Sequence, residues 1–141
     1  MTNRRQINYT IDAYFFTKVL FESHTHPNEK FDHNIDVKWN IETSSLEDNS
    51  IFVALNVKTD SETCSKTPYN IDIDTSCKLT LKEEREYSKE LETAMVRNAA
   101  SICYGAIRER VLELTSRSIW GSAIIPPNYF NGLTPNTESD E

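Results

Sequence analysis

Hydrophobic and polar residues alternate along the first half of the chain, as they do in strands with one buried face. Three runs show this period of two, at residues 35–41, 50–59 and 71–81. The polar stretch between the first two runs is suited to a hairpin connection. A fourth run, residues 11–21, is apolar on both faces, and its adjacent Phe15 and Phe16 predict either a β-bulge or a strand covered on both sides.

The hydrophobic period lengthens to between three and four residues after Thr80. This change predicts one helix from Lys82 to Arg117, up to about 36 residues and about 54 Å long. Thr80 and Glu83 are spaced as in a capping box at its start. The apolar positions form two adjacent stripes, Leu91, Met95, Ala99, Ile102 and Ala106 in one and Cys103, Ile107, Val111 and Leu114 in the other.

Small residues recur along this helix, which is longer than the sheet of one chain can cover. Small side chains let two backbones approach closely, so we expect a helix–helix contact between subunits. The alternative is an alanine-rich helix that packs only against its own sheet. The residues expected at the subunit contact are Ala94, Ala99, Gly105 and Ala106.

An apolar segment follows the helix. Residues 119–125 are mostly apolar, and Pro126 and Pro127 prevent them from continuing as helix. Residues 134–141 form a polar, acidic tail that we expect to be flexible. Strands followed by a long helix, in one domain covering residues 1–133, indicate an α+β fold.

Charge and composition exclude several classes of protein. The chain has 15 basic and 22 acidic residues and a net charge of −7, whereas nucleic-acid binding requires a basic surface. No apolar run approaches the ~20 residues of a membrane span, and no signal peptide opens the chain. The three cysteines have neither disulfide-framework nor zinc-site spacing. We therefore expect a cytoplasmic protein that does not insert into membranes.

The sequence offers no catalytic constellation. It contains no phosphate-binding loop, dinucleotide fingerprint, serine-hydrolase elbow or zinc-protease motif. His24 and His26 are spaced as a pair of metal ligands, but no third ligand is placed by spacing, so solvated loop histidines are expected there and at His33. Cys103 falls in mid-helix, where we expect a buried, inert thiol. The chain is therefore expected to be a binding protein and not an enzyme, with no metal and no cofactor.

Large apolar side chains are more abundant than the connecting segments need. Because irregular backbone normally lies at the surface, residues 119–125 predict exposed apolar surface, which on an acidic protein indicates an interaction site. The alternative is that these side chains pack beneath the sheet. The residues expected to bind a partner are Phe21, Phe31, Trp39, Ile119, Trp120, Ile124 and Ile125.

Three motifs in the second half resemble the SecB family of protein-export chaperones. They are ICYGAIRE at residues 102–109, LTSR at 114–117 and IIPPNYF at 124–130. The predicted order of elements, a four-stranded antiparallel sheet followed by one long helix, resembles that family as well.

The resemblance implies an ATP-independent holdase that binds unfolded polypeptides in apolar grooves. On this sequence the grooves would be formed by residues 21–34 and 118–130. The resemblance also implies a homotetramer, a dimer of dimers with the long helices between the sheets, which would account for the small residues of the helix.

The sequence departs from the family pattern at several places. Gly105 stands where the family commonly has proline, and the chain continues only briefly past Leu133, where export-type members have a second helix and an acidic tail. The last departure weakens the case for docking to the SecA translocase motor. Two functions therefore follow from the resemblance: a general holdase, including one that serves protein export, and a dedicated chaperone or adaptor for one partner such as an antitoxin.

Overall fold

Four long strands and one helix make up the described part of the chain. The computed structural model describes residues 9–23, 34–46, 50–59, 69–81, 89–127 and 130. Its elements are β1 (Tyr9–Ser23), β2 (Val37–Leu46), β3 (Ser50–Thr59), β4 (Tyr69–Leu81) and α1 (Lys89–Ser116). The expected α+β fold, an antiparallel sheet followed by one long helix, is confirmed.

The strands lie in the order β1-β4-β3-β2, and each neighbouring pair is antiparallel. The hairpin expected between β2 and β3 is present, with Val37 opposite Thr59 and Leu46 opposite Ser50. Helix α1 packs across the two central strands, β3 and β4. The two edge strands, β1 and β2, therefore extend beyond the helix on either side.

The core lies between α1 and one face of the sheet. Odd-numbered residues of β3 and β4 point into it, as the alternation predicted, and those of β3 from Ile51 to Val57 are no more than 1% exposed. The helix contributes a stripe at intervals of four residues. Its buried members include Leu91, Met95, Ala99, Cys103, Ile107 and Val111.

The other face of the sheet carries a network of polar side chains. Lys18 on β1 makes a 2.7 Å ion pair with Asp72 on β4. The side-chain amide of Asn56 on β3 donates to Asp72 at 2.7 Å and to Asp74 at 2.5 Å. Burial alone would raise the pKa of the Asp72 carboxyl, but the hydrogen bonds from Lys18 and Asn56 outweigh it and lower this pKa below its ordinary value.

Strand β1 contains two register shifts, one between Ile11 and Ala13 and one between Phe16 and Lys18. The second confirms a bulge next to the two phenylalanines, at Thr17. Phe15 and Phe16 point to opposite faces and are 45% and 37% exposed, so within this chain neither face of β1 is fully covered.

The start of the helix differs from the expectation. Strand β4 continues through Leu81, so the capping box predicted at Thr80 is wrong. The Thr80 hydroxyl instead bonds across the sheet to the Asp12 carboxylate and to the Ser50 hydroxyl. The helix is described from Lys89 and ends at Ser116, one residue before the predicted end, and residues 82–88 lie outside the described part of the chain.

Candidate functional site

The residues that follow α1, which we call the post-helix segment (residues 117–127), cross one end of the sheet. They run from the start of β4, where Tyr69 donates its hydroxyl to the Gly121 carbonyl at 2.5 Å, to the residues that lead into β2. There the Ile35 amide donates to the Ile124 carbonyl at 2.9 Å, and Asn34 and Ile124 form a parallel bridge. The segment is thus fixed at both sides of the sheet end.

Three side chains of α1 form hydrogen bonds with the backbone of this irregular segment. Arg108 donates its Nε to the Ile125 carbonyl at 2.9 Å, and Tyr104 donates its hydroxyl to the Pro126 carbonyl at 2.6 Å. The Ala123 amide donates to the Thr115 hydroxyl at 2.9 Å. Buried backbone groups without a regular partner are costly, and these contacts remove that cost while holding the segment in one path.

Side chains of the post-helix segment alternate between core and solvent. Ala123 and Ile125 are buried, at 0% and 1% exposure, whereas Ile124 between them is 49% exposed. Ile119 is 76% exposed, the highest value among the exposed large hydrophobic residues described. The fixed backbone therefore presents two apolar side chains to solvent.

Aromatic side chains lie beneath the segment on the β2 side. Phe130 is buried and contacts the ring of Trp39 edge-on at 5.0 Å and the ring of Tyr104 edge-on at 5.5 Å. Its backbone has a φ of 54°, a left-handed conformation that costs a non-glycine residue about 1 kcal/mol, and the two ring contacts offset that cost. Burial raises the pKa of Tyr104 to about 12.

A second aromatic pair lies on the β1 side. Phe21 faces the helix side of the sheet and its ring lies 5.2 Å from that of Tyr69. Trp120 is partly buried against the core, as are Phe21 and Trp39.

The predicted binding residues thus fall on elements that meet at this end of the sheet, at different depths. Ile119 and Ile124 are exposed; Phe21, Trp39 and Trp120 are half-buried; Ile125 is buried and anchors the segment. Phe31 lies outside the described residues. We call Ile119 and Ile124, with the half-buried rings beside them, the sheet-end surface.

A separate apolar groove of about 410 Å³ lies between β1 and the flank of α1. Tyr14, Phe16 and Val19 of β1 form one wall and are 54%, 37% and 41% exposed. The other wall is helical, and its residues are Ala106, Glu109, Arg110 and Glu113. We call this feature the β1 groove.

The four small residues predicted at a subunit contact do not share one environment. Ala99 is fully buried toward the sheet of its own chain. Ala94, Gly105 and Ala106 are half-buried, and Ala106 lines the β1 groove. A Cβ placed on Gly105 would meet no atom of the described residues within 4 Å, so no contact in the described part of the chain requires glycine there.

The two described cysteines lie in the core, Cys77 on β4 and Cys103 on α1. A hydrogen bond from one thiol to the other, together with burial, raises the pKa of Cys77. Among the described residues no group of three His, Cys, Asp or Glu could hold a metal ion, and the three histidines lie outside these ranges. Nor is any helix in the described part long and apolar enough to cross a membrane.

The residues that hold the post-helix segment were not found from the sequence. Tyr69, Tyr104 and Arg108 use a side chain to bond a carbonyl 17 to 52 positions away, and nothing in the local pattern indicates these pairings. Thr115 has a weak local signal, since a buried threonine in the last turn of a helix must find a partner for its hydroxyl.

Comparison with solved structures identifies the architecture. A SecB-like chaperone from Mycobacterium tuberculosis, solved in complex with a ChAD peptide from the HigA1 antitoxin, superposes with a TM-score of 0.59 over 89% of this chain and 88% of its own, at 15% identity. The fold is SecB-like. A protein of unknown function from Streptococcus agalactiae has the same arrangement, with a TM-score of 0.51, 11% identity, and coverage of 87% of this chain and 99% of its own. No protein-family profile and no curated protein matches the sequence. At 15% and 11% identity, these similarities show the fold alone.

Proposed function

We propose that this protein is an ATP-independent holdase, a non-enzymatic chaperone that binds unfolded polypeptides, here called clients, on its sheet-end surface. The observation that carries the proposal is the exposure of Ile119 (76%) and Ile124 (49%) on a backbone fixed by core hydrogen bonds. A small shift of the backbone would normally let exposed apolar side chains turn into the core. Here the hydrogen bonds to the backbone oppose that shift. The SecB-like fold supports the same reading.

The chemistry of the surface suits clients that share no sequence. Aliphatic and aromatic groups bind by burial of apolar area, roughly 25 cal/mol per Å², which imposes no hydrogen-bonding code. A net charge of −7 keeps the free chaperone soluble and favours basic segments of clients. The buried thiols Cys77 and Cys103 suit a reducing compartment, and we assign the protein to the cytoplasm.

We further propose that the chain assembles with copies of itself, as a dimer of dimers. Edge strand β1 is 15 residues long, and it leaves Tyr14, Phe16 and Val19 partly exposed in the β1 groove. Long edge strands with apolar faces are normally covered. The half-buried Gly105 and Ala106 on α1 supply small residues for a helix contact next to this groove.

A dedicated chaperone for one partner is the second candidate. The mycobacterial structure contains an antitoxin peptide, and this observation supports a dedicated client as the alternative. The two functions differ in client breadth, and the same assay separates them.

The test is suppression of aggregation and direct binding of reduced, carboxymethylated lactalbumin, followed by light scattering and by fluorescence anisotropy. Ile119→Ala combined with Ile124→Ala removes apolar surface without emptying the core. We expect about tenfold weaker binding, equal to about 1.4 kcal/mol. Phe15→Ala is the matched control, because Phe15 is 45% exposed on the opposite face of the sheet, 6.4 Å from the ring of Phe52.

Binding by the wild type that is weakened in the double variant and kept in the control supports the proposal. A wild type indifferent to several unrelated unfolded chains would rule out a general holdase. Binding to one chain alone would favour the dedicated chaperone.

A further inference from the structure

A buried hydroxyl joins the last turn of α1 to the post-helix segment. Thr115 is fully buried, and its Oγ1 donates to the carbonyl of Val111, 2.7 Å away within the helix. The same oxygen accepts the amide of Ala123 at 2.9 Å. One side chain thus satisfies a donor eight residues further along, at a point where the chain has left the helix.

The Ala123 amide lies next to Ile124, one of the two exposed side chains of the sheet-end surface. Ala123 and Ile125 point into the core, and in an extended segment the residue between them must point out. The Thr115 hydroxyl holds the Ala123 amide, and the Ile35 amide holds the Ile124 carbonyl, so the backbone is fixed on both sides of the Ile124 side chain. Thr115 supplies the anchor on the helix side.

The connection between Thr115 and Ala123 is short and tightly turned. The Ser118 amide donates to the Thr115 carbonyl at 3.0 Å, and the Gly121 amide donates to the Ser118 carbonyl at 3.0 Å. Gly121 has a φ of +81°, a left-handed conformation that glycine adopts without strain. Ile119 lies within the second of these turns, and Thr115 anchors the chain before the first turn and, through the Ala123 amide, after the second.

We propose that Thr115 is the positioning residue of the sheet-end surface: its hydroxyl holds the Ala123 amide and thereby keeps Ile119 and Ile124 directed at the client. This inference rests on the holdase function proposed above and assigns a role to a residue that touches no client itself. A purely structural role for Thr115 would stabilise the helix end through Val111 alone and would not affect client affinity.

The experiment compares Thr115→Val, which keeps the shape of the side chain and removes the acceptor, with Thr115→Ser, which keeps the hydroxyl. Thr75→Val is the matched control, because Thr75 is equally buried and its hydroxyl bonds the Leu55 carbonyl within the sheet. Affinity for reduced, carboxymethylated lactalbumin is measured for each folded variant. Hydrogen exchange at the Ala123 amide is measured by NMR in the same proteins.

We expect Thr115→Val to bind this client about tenfold more weakly and to lose at least tenfold of the protection at Ala123. Thr115→Ser and Thr75→Val should stay within twofold of the wild type in both measurements. Wild-type affinity in folded Thr115→Val would overturn the positioning role and leave the holdase function standing. Absence of client binding by the wild type would overturn both.

Should Thr115→Val fail to fold, Thr115→Ala takes its place, because it removes the same acceptor. An Ala123 amide that exchanges as fast as an exposed one in the wild type would overturn the proposal. Protection of that amide in the wild type and its loss in Thr115→Ala, together with about tenfold weaker client binding, would support it, and unchanged client binding by Thr115→Ala would overturn it.

Discussion

Replacement of Gly105 by alanine tests whether the small residues of α1 contact a second copy. Gly105 lies in the middle of a 28-residue helix, and an added Cβ would meet no atom within 4 Å among the residues that the structure describes. Alanine is the better helix former by about 1 kcal/mol, since glycine loses more backbone entropy on folding. An isolated chain should therefore become more stable, with a melting temperature about 3 °C higher.

The effect of Gly105→Ala becomes unfavourable if two helices approach closely at this position. A methyl forced into a packed contact costs about 1–3 kcal/mol, and in a symmetric contact both copies carry one. This cost exceeds the gain in helix propensity. We therefore expect Gly105→Ala to weaken assembly by at least tenfold, which corresponds to about 1.4 kcal/mol.

The assay is sedimentation velocity across a range of protein concentrations, together with thermal unfolding at two of them. Ser101→Ala is the control: Ser101 is exposed one turn before Gly105, and its replacement raises helix propensity by about 0.5 kcal/mol while removing an atom. It should leave assembly intact. Unchanged assembly of Gly105→Ala with a higher melting temperature would refute a close helix contact at this residue.

Two further predictions concern titratable groups of the described chain. Burial raises the pKa of Tyr104 from its ordinary value of 10.0 to about 12. The stability that its bond to the Pro126 carbonyl contributes is therefore fully present below pH 10.0 and is lost as the pH rises through about 12. Wild type should therefore lose more stability than Tyr104→Phe between these values, measured by urea unfolding, and parallel curves would contradict this. In a Cys64→Ser variant, Cys77 and Cys103 should react with Ellman's reagent only after unfolding, because both are buried; fast reaction of the native protein would show otherwise.

The fold could be predicted from the sequence because its signals are local. Alternation at residues 50–59 predicted β3 with the observed bounds, and the change of period after Thr80 predicted a single long helix. The capping box failed because a threonine on a strand also satisfies its hydroxyl across the sheet, as Thr80 does with Ser50. Local spacing does not distinguish these two uses.

The candidate site could be predicted only in outline. Apolar residues between the end of the helix and two prolines indicated an exposed segment, and Ile119 and Ile124 are exposed. The inward direction of Ile125 depends on the hydrogen bond from Arg108 to its carbonyl and on the alternation of an extended backbone. No local sequence pattern indicates either feature. The depth of each side chain is therefore a tertiary property.

The two apolar surfaces are suited to different kinds of partner. The β1 groove has a charged helical wall, where Arg110 and Glu113 form a 3.3 Å ion pair, and it borders a strand edge that can form backbone hydrogen bonds. Charges and strand pairing fix register and orientation, so a partner there would have to be matched to the groove, as the second copy proposed above would be.

The sheet-end surface instead presents Ile119 and Ile124 above half-buried rings. Burial of such groups is nearly independent of orientation, so under the proposed holdase function this surface would tolerate clients that differ in sequence. Because the backbone beneath them is held by the core, such a client would not have to order the segment before binding, and less binding free energy would be lost to entropy. A chain with both surfaces would assemble through the first and keep the second open, and occupation of the β1 groove by client instead of a second copy would reverse this assignment.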